Sequence, residues 1–306
     1  MNENAESVRL GGVGSFLDRF RRQAFAYPYI IWLAIFVVIP IMLIAVYAFT
    51  SVKGGFTLNN FAGMPEYAPV FGRSLWLAFV ATVFCLLIGY PVALAISRTT
   101  PKTQRVLLML VMLPMWINFL LRTYAWMSIL ENTGLLNRFF ASVGVFNWIN
   151  SLHAGDPNYT PITHFQLINT DGAVVLGMIY NYLPFMILPI ESVIVKIDPF
   201  VIEAAQDLGA GSGTVFRKVV LPLSLSGVIS GITMVFVPAV STFVISKLLS
   251  NGTVMLLGDL IEMQFTGSAY NPHLGAAISL IMMVIVVICM SIMNKFGEGE
   301  EQAVVM

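Results

Sequence analysis

The chain has 306 residues, of which 58% are hydrophobic and 10% charged, with basic and acidic residues balanced at 16 each. A soluble domain carries roughly 25% charged residues, so an ordinary water-soluble globule is excluded. Apolar runs near the ~20 residues needed to cross about 30 Å of hydrocarbon recur along the chain, and the predicted fold class is an all-α polytopic membrane protein with six transmembrane helices.

Residues 1–26 are polar and basic, and they are expected to form a cytoplasmic N-terminal segment. Within it Gly11-Gly12-Val13-Gly14 reads as a flexible stretch. The first apolar run, Tyr27–Phe49, is too long for a signal-peptide core and lacks a small-x-small cleavage site, so it is expected to stay in the membrane. The other predicted spans are Ser74–Ser97, Val106–Leu121, Ala173–Val195, Leu223–Ser246 and Leu274–Met293. The third has sequence to continue past Arg122 to about Ile129, with the arginine reaching for the interface. In the loop from Arg122 to Gly172, Leu135–Val143 reads as an amphipathic helix with Leu135, Leu136, Phe139, Phe140 and Val143 on its apolar side. The rest, including Gly155-Asp156-Pro157-Asn158, has turn chemistry. Residues 27–293 thus form one membrane domain, and 294–306 a cytoplasmic tail.

Orientation follows from the basic residues. With both termini inside, 11 of the 16 fall on the cytoplasmic side and five, Lys53, Arg73, Arg122, Arg138 and Lys247, outside. Cys85 and Cys289 lie inside predicted spans and act as small apolar residues. His153, His164 and His273 fall in loops or at a span end, with no metal-ligand spacing. None of the six lysines follows a glycine, so no Walker A loop is present. No catalytic residue, metal or cofactor is expected in this chain.

The segment between spans four and five, 196–222, is longer than a turn requires. Asp198 can cap a helix with Pro199 at its first position, and Gly209 can stop it. Val201, Ala204, Ala205 and Leu208 share one apolar face, and the two alanines keep that face thin. Glu203, Gln206 and Asp207 lie off it. After Ala210-Gly211-Ser212-Gly213, Ser212 or Thr214 is expected to cap a second short helix carrying Phe216, Arg217 and Lys218, and Pro222 sits where the next span begins. A helix that merely lay on lipid headgroups would carry a basic polar face, whereas the first helix shows carboxylates and an amide. A protein partner fits better.

The pattern Glu203-Ala204-Ala205-x3-Gly209-x9-Val219-x-Leu221-Pro222 resembles the coupling loop of binding-protein-dependent ABC importer permeases. That resemblance implies a type I ABC importer permease fold in a bacterial cytoplasmic (inner) membrane. It implies two nucleotide-binding ATPase subunits that carry ATP-Mg, with the loop docking into a groove of one of them. It also implies a second permease subunit and an extracytoplasmic substrate-binding protein, with membrane lipids around the spans and no nucleic-acid partner. ATPase coupling falls on Glu203, Ala204, Ala205, Asp207, Gly209, Leu221 and Pro222.

Gly89-Tyr90-Pro91, Leu113-Pro114-Met115-Trp116-Ile117-Asn118, Leu121-Arg122-Thr123-Tyr124, Leu183-Pro184-Phe185-Met186-Ile187-Leu188-Pro189 and Asp207-Leu208-Gly209-Ala210 resemble spermidine/putrescine permeases, over about Tyr27 to Asn294. A polycation needs acceptors and aromatic faces, and intramembrane polar residues tend to face an aqueous path. Trp116, Asn118, Tyr180, Asn181, Phe236, Ser241, Thr242 and Phe243 are therefore the candidate substrate pathway, although interfacial belts and helix contacts use the same residue types. Lys247 departs from the family pattern, in which an aspartate can occupy that place. It points to the interface, or a second permease supplies negative charge, or the substrate is not a polyamine. The rival readings are an ABC permease for sulfate, ferric iron or an opine-like amine, and a secondary carrier driven by an ion gradient.

Overall fold

The computed structural model describes residues 27–51, 53–153, 159–267 and 269–304. The predicted leader, with Gly11–Gly14, and the Gly155–Asn158 turn lie outside the described residues. Regular structure among those described is helical, apart from one antiparallel bridge between Thr50 and Phe56. Two compact units divide the chain: one takes in the sequence up to Ala62 together with Asn271–Leu280, the other Gly63–Tyr270 with the residues from Ile281 onward.

The first unit is built on α1, Pro28–Phe49, apolar all round and exposed along its length. Pro40 has no N–H to give, and the helix widens just before it into a π turn, Ala34–Val38, where the amide of Ile39 reaches back five residues to the carbonyl of Ala34. The following turn is pinned by Asn60, whose amide donates to the carbonyls of Ala48 and Thr50 at 2.9 and 3.0 Å.

The second unit is organised by α2 (Met64–Ser97), α7 (Asp171–Ile194) and α10 (Leu225–Val240). Their shared core contains Cys85, Tyr90, Ala93, Met186, Ile187, Ile190, Val228 and Val235. In lipid, helices associate through close packing rather than through the hydrophobic effect, so small residues mark the seams. At Gly227 an added Cβ would lie 2.8 Å from the carbonyl oxygen of Pro189, so α10 touches the α7 backbone there. The 34 residues of α2 span about 51 Å at 1.5 Å per residue, more than the hydrocarbon requires. At the end of α2 remote from Ser97, Arg73 pairs with Asp171 at the start of α7, 2.7 Å apart.

Two of the six predicted spans are bent. The third is α3, Pro101–Trp116, followed by α4, Phe119–Leu130, with a bend of 86° between α3 and the whole segment Phe119–Ser142 that α4 opens. Helix does continue past Arg122, to Leu130, but in a new direction. The chain leaves the helix at Ile117 and restarts at Asn118, whose Oδ1 accepts the amide of Leu120 at 2.8 Å. The fifth is α9, Ser212–Leu223, followed by α10, with a bend of 61° at Ser224. It ends at Val240, not Ser246; beyond it lie α11, Val244–Ser250, and α12, Leu257–Phe265. The last span opens α13, Pro272–Val304.

The amphipathic loop helix is α5, Leu135–Ser142, but its apolar residues divide. Leu136 and Phe140 turn inward, Phe140 against Phe165 at 5.5 Å, while Leu135, Phe139 and Val143 are exposed. The remainder of the loop is not all turn: α6, Val145–Leu152, follows and buries Phe146 against Phe165.

Candidate functional site: the helix–turn–helix between α7 and α10

At the C-terminal end of α7 the chain builds α8, Pro199–Asp207, for reasons local to its sequence. Asp198 accepts the amide of Phe200 at 3.0 Å, and Pro199 occupies the first helical position, where its missing N–H costs nothing. Gly209 stops the helix with φ +83°, a left-handed backbone that side chains with a Cβ rarely adopt. Its amide then returns to Gln206 at 2.8 Å and that of Ala210 to Ala205 at 3.1 Å, satisfying the final carbonyls. The second helix is capped differently from the expectation. Neither Ser212 nor Thr214 supplies a side-chain cap; the carbonyl of Gly211 accepts the amides of Thr214 and Val215 instead.

The two faces of α8 have different surroundings. Ile202 and Gln206 turn toward the chain and, with Arg98, Ile197 and Ser212, line a cavity of about 390 Å³. Glu203, Ala204 and Asp207 are exposed on the other side, beside Val201, Phe200 at 74% and Leu208 at 90% exposure. Of the apolar face expected from spacing, Val201, Ala204 and Leu208 are uncovered and Ala205 is half-buried. Among the described residues nothing covers this acid-bearing apolar surface, whose helix is capped at each end.

From there a packed route leads into the bundle. Leu221 and Pro222 follow a π turn, Phe216–Val220, in which the amide of Leu221 reaches the carbonyl of Phe216, the same device that precedes Pro40. Phe216 stands edge-on to Tyr90 of α2 at 5.8 Å. The hydroxyls of Tyr90 and buried Ser224 lie 2.8 Å apart, and Ser224 is the residue at which the fifth span bends. Sequence reasoning quoted Gly89-Tyr90-Pro91 without seeing this contact, because its partner lies 134 positions away. Nearby, buried Glu191 of α7 accepts a hydrogen bond from the amide of Gln104 on α3.

The eight pathway candidates are not gathered in one place. Asn118 caps α4, Trp116 is 68% exposed, and Tyr180 stands edge-on to Trp126. Asn181 is buried, its amide given to the carbonyl of Gly177. Phe236 lines an apolar cavity of about 360 Å³ with Phe79 and Cys289. Ser241, Thr242 and Phe243 do cluster, at the break after α10, with Thr242 buried and the other two exposed. Lys247 presents no bare charge, since its ammonium donates to both carboxylate oxygens of Glu262 at 3.1 Å.

Among the described residues, a bundle of apolar helices with two bent helix pairs carries at one end a capped helix with an uncovered face, next to one of those bends, and this architecture is that of a helical membrane subunit. Residues 85–298 match the family model described as binding-protein-dependent transport system inner membrane component. The chain is 37% identical over 262 residues to the spermidine/putrescine transport system permease protein PotB of Haemophilus influenzae, covering 83% of this chain and 86% of that one. It is 34% identical to the protein of the same name from Escherichia coli K12, covering 83% and 90%. Among solved structures, a chain from a bacterial ABC transporter involved in import of the acidic polysaccharide alginate superposes with a TM-score of 0.74 at 16% identity, covering 93% and 98% of the two chains. That likeness is one of fold. The chain belongs to the family of binding-protein-dependent transport system inner membrane components, and is a transport subunit rather than an enzyme.

Proposed function

We propose that this chain is the permease of an ATP-driven importer that brings polyamines across the inner membrane after delivery by an extracytoplasmic binding protein. The observation that carries the reading is the 34–37% identity to spermidine/putrescine permeases over 83% of the chain. In this reading 27–293 form the permease domain, both termini are cytoplasmic, and 196–222 is the coupling loop. Two ATPase subunits bind ATP-Mg, and a second permease completes the pathway. The exposed face of α8 docks on an ATPase subunit through Glu203, Ala204, Ala205 and Asp207, with Gly209 fixing its end. Closure of the ATPases moves α8, and Phe216, Tyr90 and Ser224 carry the motion to the bend of the fifth span. Leu221 and Pro222 lie on that route. The break at Ser241–Phe243 offers the exposed Ser241 hydroxyl and the Phe243 ring to a cation, and the pairing of Lys247 with Glu262 removes the repulsion that a bare lysine would exert there. Trp116, Asn118, Tyr180, Asn181 and Phe236 remain pathway candidates in states that rearrange the spans.

The test is ATP hydrolysis by the complex in nanodiscs with its ATPase, second permease and binding protein. Stimulation by spermidine or putrescine, lost when Glu203 and Gly209 are replaced, is the expected result. Stimulation by sulfate or ferric iron alone would discard the polyamine assignment, and failure to associate with any ATPase would discard the importer.

A further inference from the structure

Helices α5 and α6 close on one short stretch of chain, 162–165, which leads into the Asp171 end of α7. Asn137 of α5 gives its amide to the carbonyl of Phe165 at 3.0 Å and accepts the N–H of the same residue at 2.9 Å. Asn150 of α6 does the same with Ile162, at 3.0 and 2.9 Å. Phe140 and Phe146 pack on the Phe165 ring from the two helices, at 5.5 and 5.0 Å. With their inner sides fixed in this way, what the two helices present outward is fixed as well. We infer that the arm formed by α5 and α6 lies on the membrane, with an uncovered apolar face sunk into the boundary of one lipid leaflet; the inference does not depend on which solute is carried.

Each helix has three faces. On α5, Leu135, Phe139 and Val143 follow one another at every fourth position, and Trp148 and Leu152 repeat that spacing on α6; all five are more than half exposed. Beside this apolar stripe runs a polar one, also exposed: Arg138 and Ser142 on α5, Asn147 and Ser151 on α6. At 3.6 residues per turn, the order around both helices is the same, from the inner face to the apolar stripe to the polar one. A helix that covers a bundle and faces water needs only two faces. Bundle, hydrocarbon and water together make three, which is the setting of a helix lying in the membrane interface.

Lipid suits the apolar stripe better than a protein partner does. The stripe continues the surface of α4, where Leu120, Leu121 and Tyr124 are exposed in the stretch that follows the third span. The segment Phe119–Ser142 as a whole is turned 86° from α3, so it runs across the direction of that helix instead of prolonging it. The stripe holds no charge, and its Trp, Phe and Leu are the residues that interfacial helices sink toward the acyl chains. Arg138 stands next to it, exposed and in no ion pair among the described residues, on a stem long enough to carry its guanidinium up to the headgroups. An apolar patch of this kind marks an interaction site. A soluble partner that comes and goes would leave it bare to water between visits, whereas a leaflet covers it at all times.

The experiment places nitroxide spin labels on single cysteines in the full chain, held in its nanodisc complex. Cys289→Ala removes one native thiol, and Cys85 is buried. Labels at Phe139→Cys, Trp148→Cys and Leu152→Cys are expected to collide several-fold more often with oxygen, which concentrates in hydrocarbon, than with a water-soluble nickel chelate. Labels at Ser142→Cys, Asn147→Cys and Ser151→Cys should show the reverse. The native side chain is read separately: lipids brominated near the headgroup should quench the part of the tryptophan emission that Trp148→Phe removes. Thermal unfolding of each variant checks that it folds. Apolar-face labels as open to nickel as those on the polar face, or Trp148 emission untouched by brominated lipid, would overturn the membrane contact. Apolar-face labels that collide with neither reagent, or that lose their nickel collisions only when the binding protein is added, would overturn it in favour of a protein partner.

Discussion

The seam between α7 and α10 and the turn between α8 and α9 both depend on glycine, and they do so for opposite reasons. Gly227 sits where two helix backbones meet, with its missing side chain replaced by the carbonyl of Pro189. Gly209 sits where nothing lies within 4 Å of an added Cβ, and what it supplies is the left-handed φ. The first glycine is needed by the packing of this chain; the second shapes a surface that this chain does not use. Helix α8 shows the same contrast with the bundle, since Leu208 is 90% exposed while Met186, Ile187 and Ile190 are almost wholly buried. Among the described residues α8 keeps its apolar side uncovered, whereas the bundle helices cover theirs with one another.

The largest effect that sharpens this contrast is expected from Gly227→Val. The added isopropyl group, its Cβ already 2.8 Å from the carbonyl oxygen of Pro189, would meet the α7 backbone, which cannot move aside as a flexible side chain could, at an overpacking cost of about 3 kcal/mol. The complex should unfold at clearly lower temperature and accumulate poorly, and normal thermal stability would show that the seam is looser than the geometry says. Gly209→Val should do the reverse. A β-branched residue at φ +83° carries strain of roughly 1–2 kcal/mol, yet touches nothing, so assembly and stability should survive while ATP hydrolysis loses its dependence on substrate. Asparagine tolerates this backbone, and Gly209→Asn is expected to retain coupling. Equal loss in both variants would mean that the missing Cβ, not φ, is what matters.

Tyr90→Phe tests the route that joins the two regions. It deletes one hydroxyl from a buried pair, leaving Ser224 with its bond to the carbonyl of Leu221, at a cost of about 1 kcal/mol. Stability should fall slightly, while the ratio of transport to ATP hydrolysis falls several-fold because α9 is no longer bolted to α2. An unchanged ratio would confine the pair to packing.

Much of this molecule is legible in its sequence, and the parts that are not share a cause. The spans could be read because lipid leaves no alternative to long apolar helices, and α8 could be read because its start and stop are local, Asp198-Pro199 and Gly209. The break at Asn118 was hidden. In a run of apolar residues an asparagine that caps a new helix looks the same as one that faces a water-filled path, and only the direction of the chain after Pro114 distinguishes them. Helix α6 escapes a sequence reading although its eight residues are strongly amphipathic, because so short a run is ambiguous by itself and its anchor, Phe165, lies well beyond it. Lys247 reads as an obstacle for the same reason: its neutralising partner Glu262 lies 15 positions on, in α12, outside every predicted span. Contacts set by distant residues leave no local trace.

The segment α11–α12 gives the smallest expected effect, and a sign that distinguishes two carboxylates one turn apart. Burial pushes the carboxyl of Asp259 above its ordinary value, against the pull of the Ser246 hydroxyl, the Leu256 amide and the Lys247 ammonium. Glu262 is shifted the other way, held below its ordinary value chiefly by Lys247. A raised acid holds its proton more tightly in the folded protein than in the unfolded chain, so its contribution to stability is full at low pH and is lost as pH rises through the folded value. The depressed Glu262 contributes above its unfolded value and loses that contribution as pH falls through the folded one. Asp259→Asn keeps an acceptor for the Leu256 amide, 2.9 Å away in the wild type, and removes the ionisation. The variant should therefore unfold at the same or a slightly higher temperature than wild type at pH 7, with the difference closing as pH is lowered through the range of the raised carboxyl. A variant less stable at pH 7 whose deficit closed on acidification would mean that the ionised carboxylate stabilises this segment, through Lys247 and the Leu256 amide, by more than its burial costs.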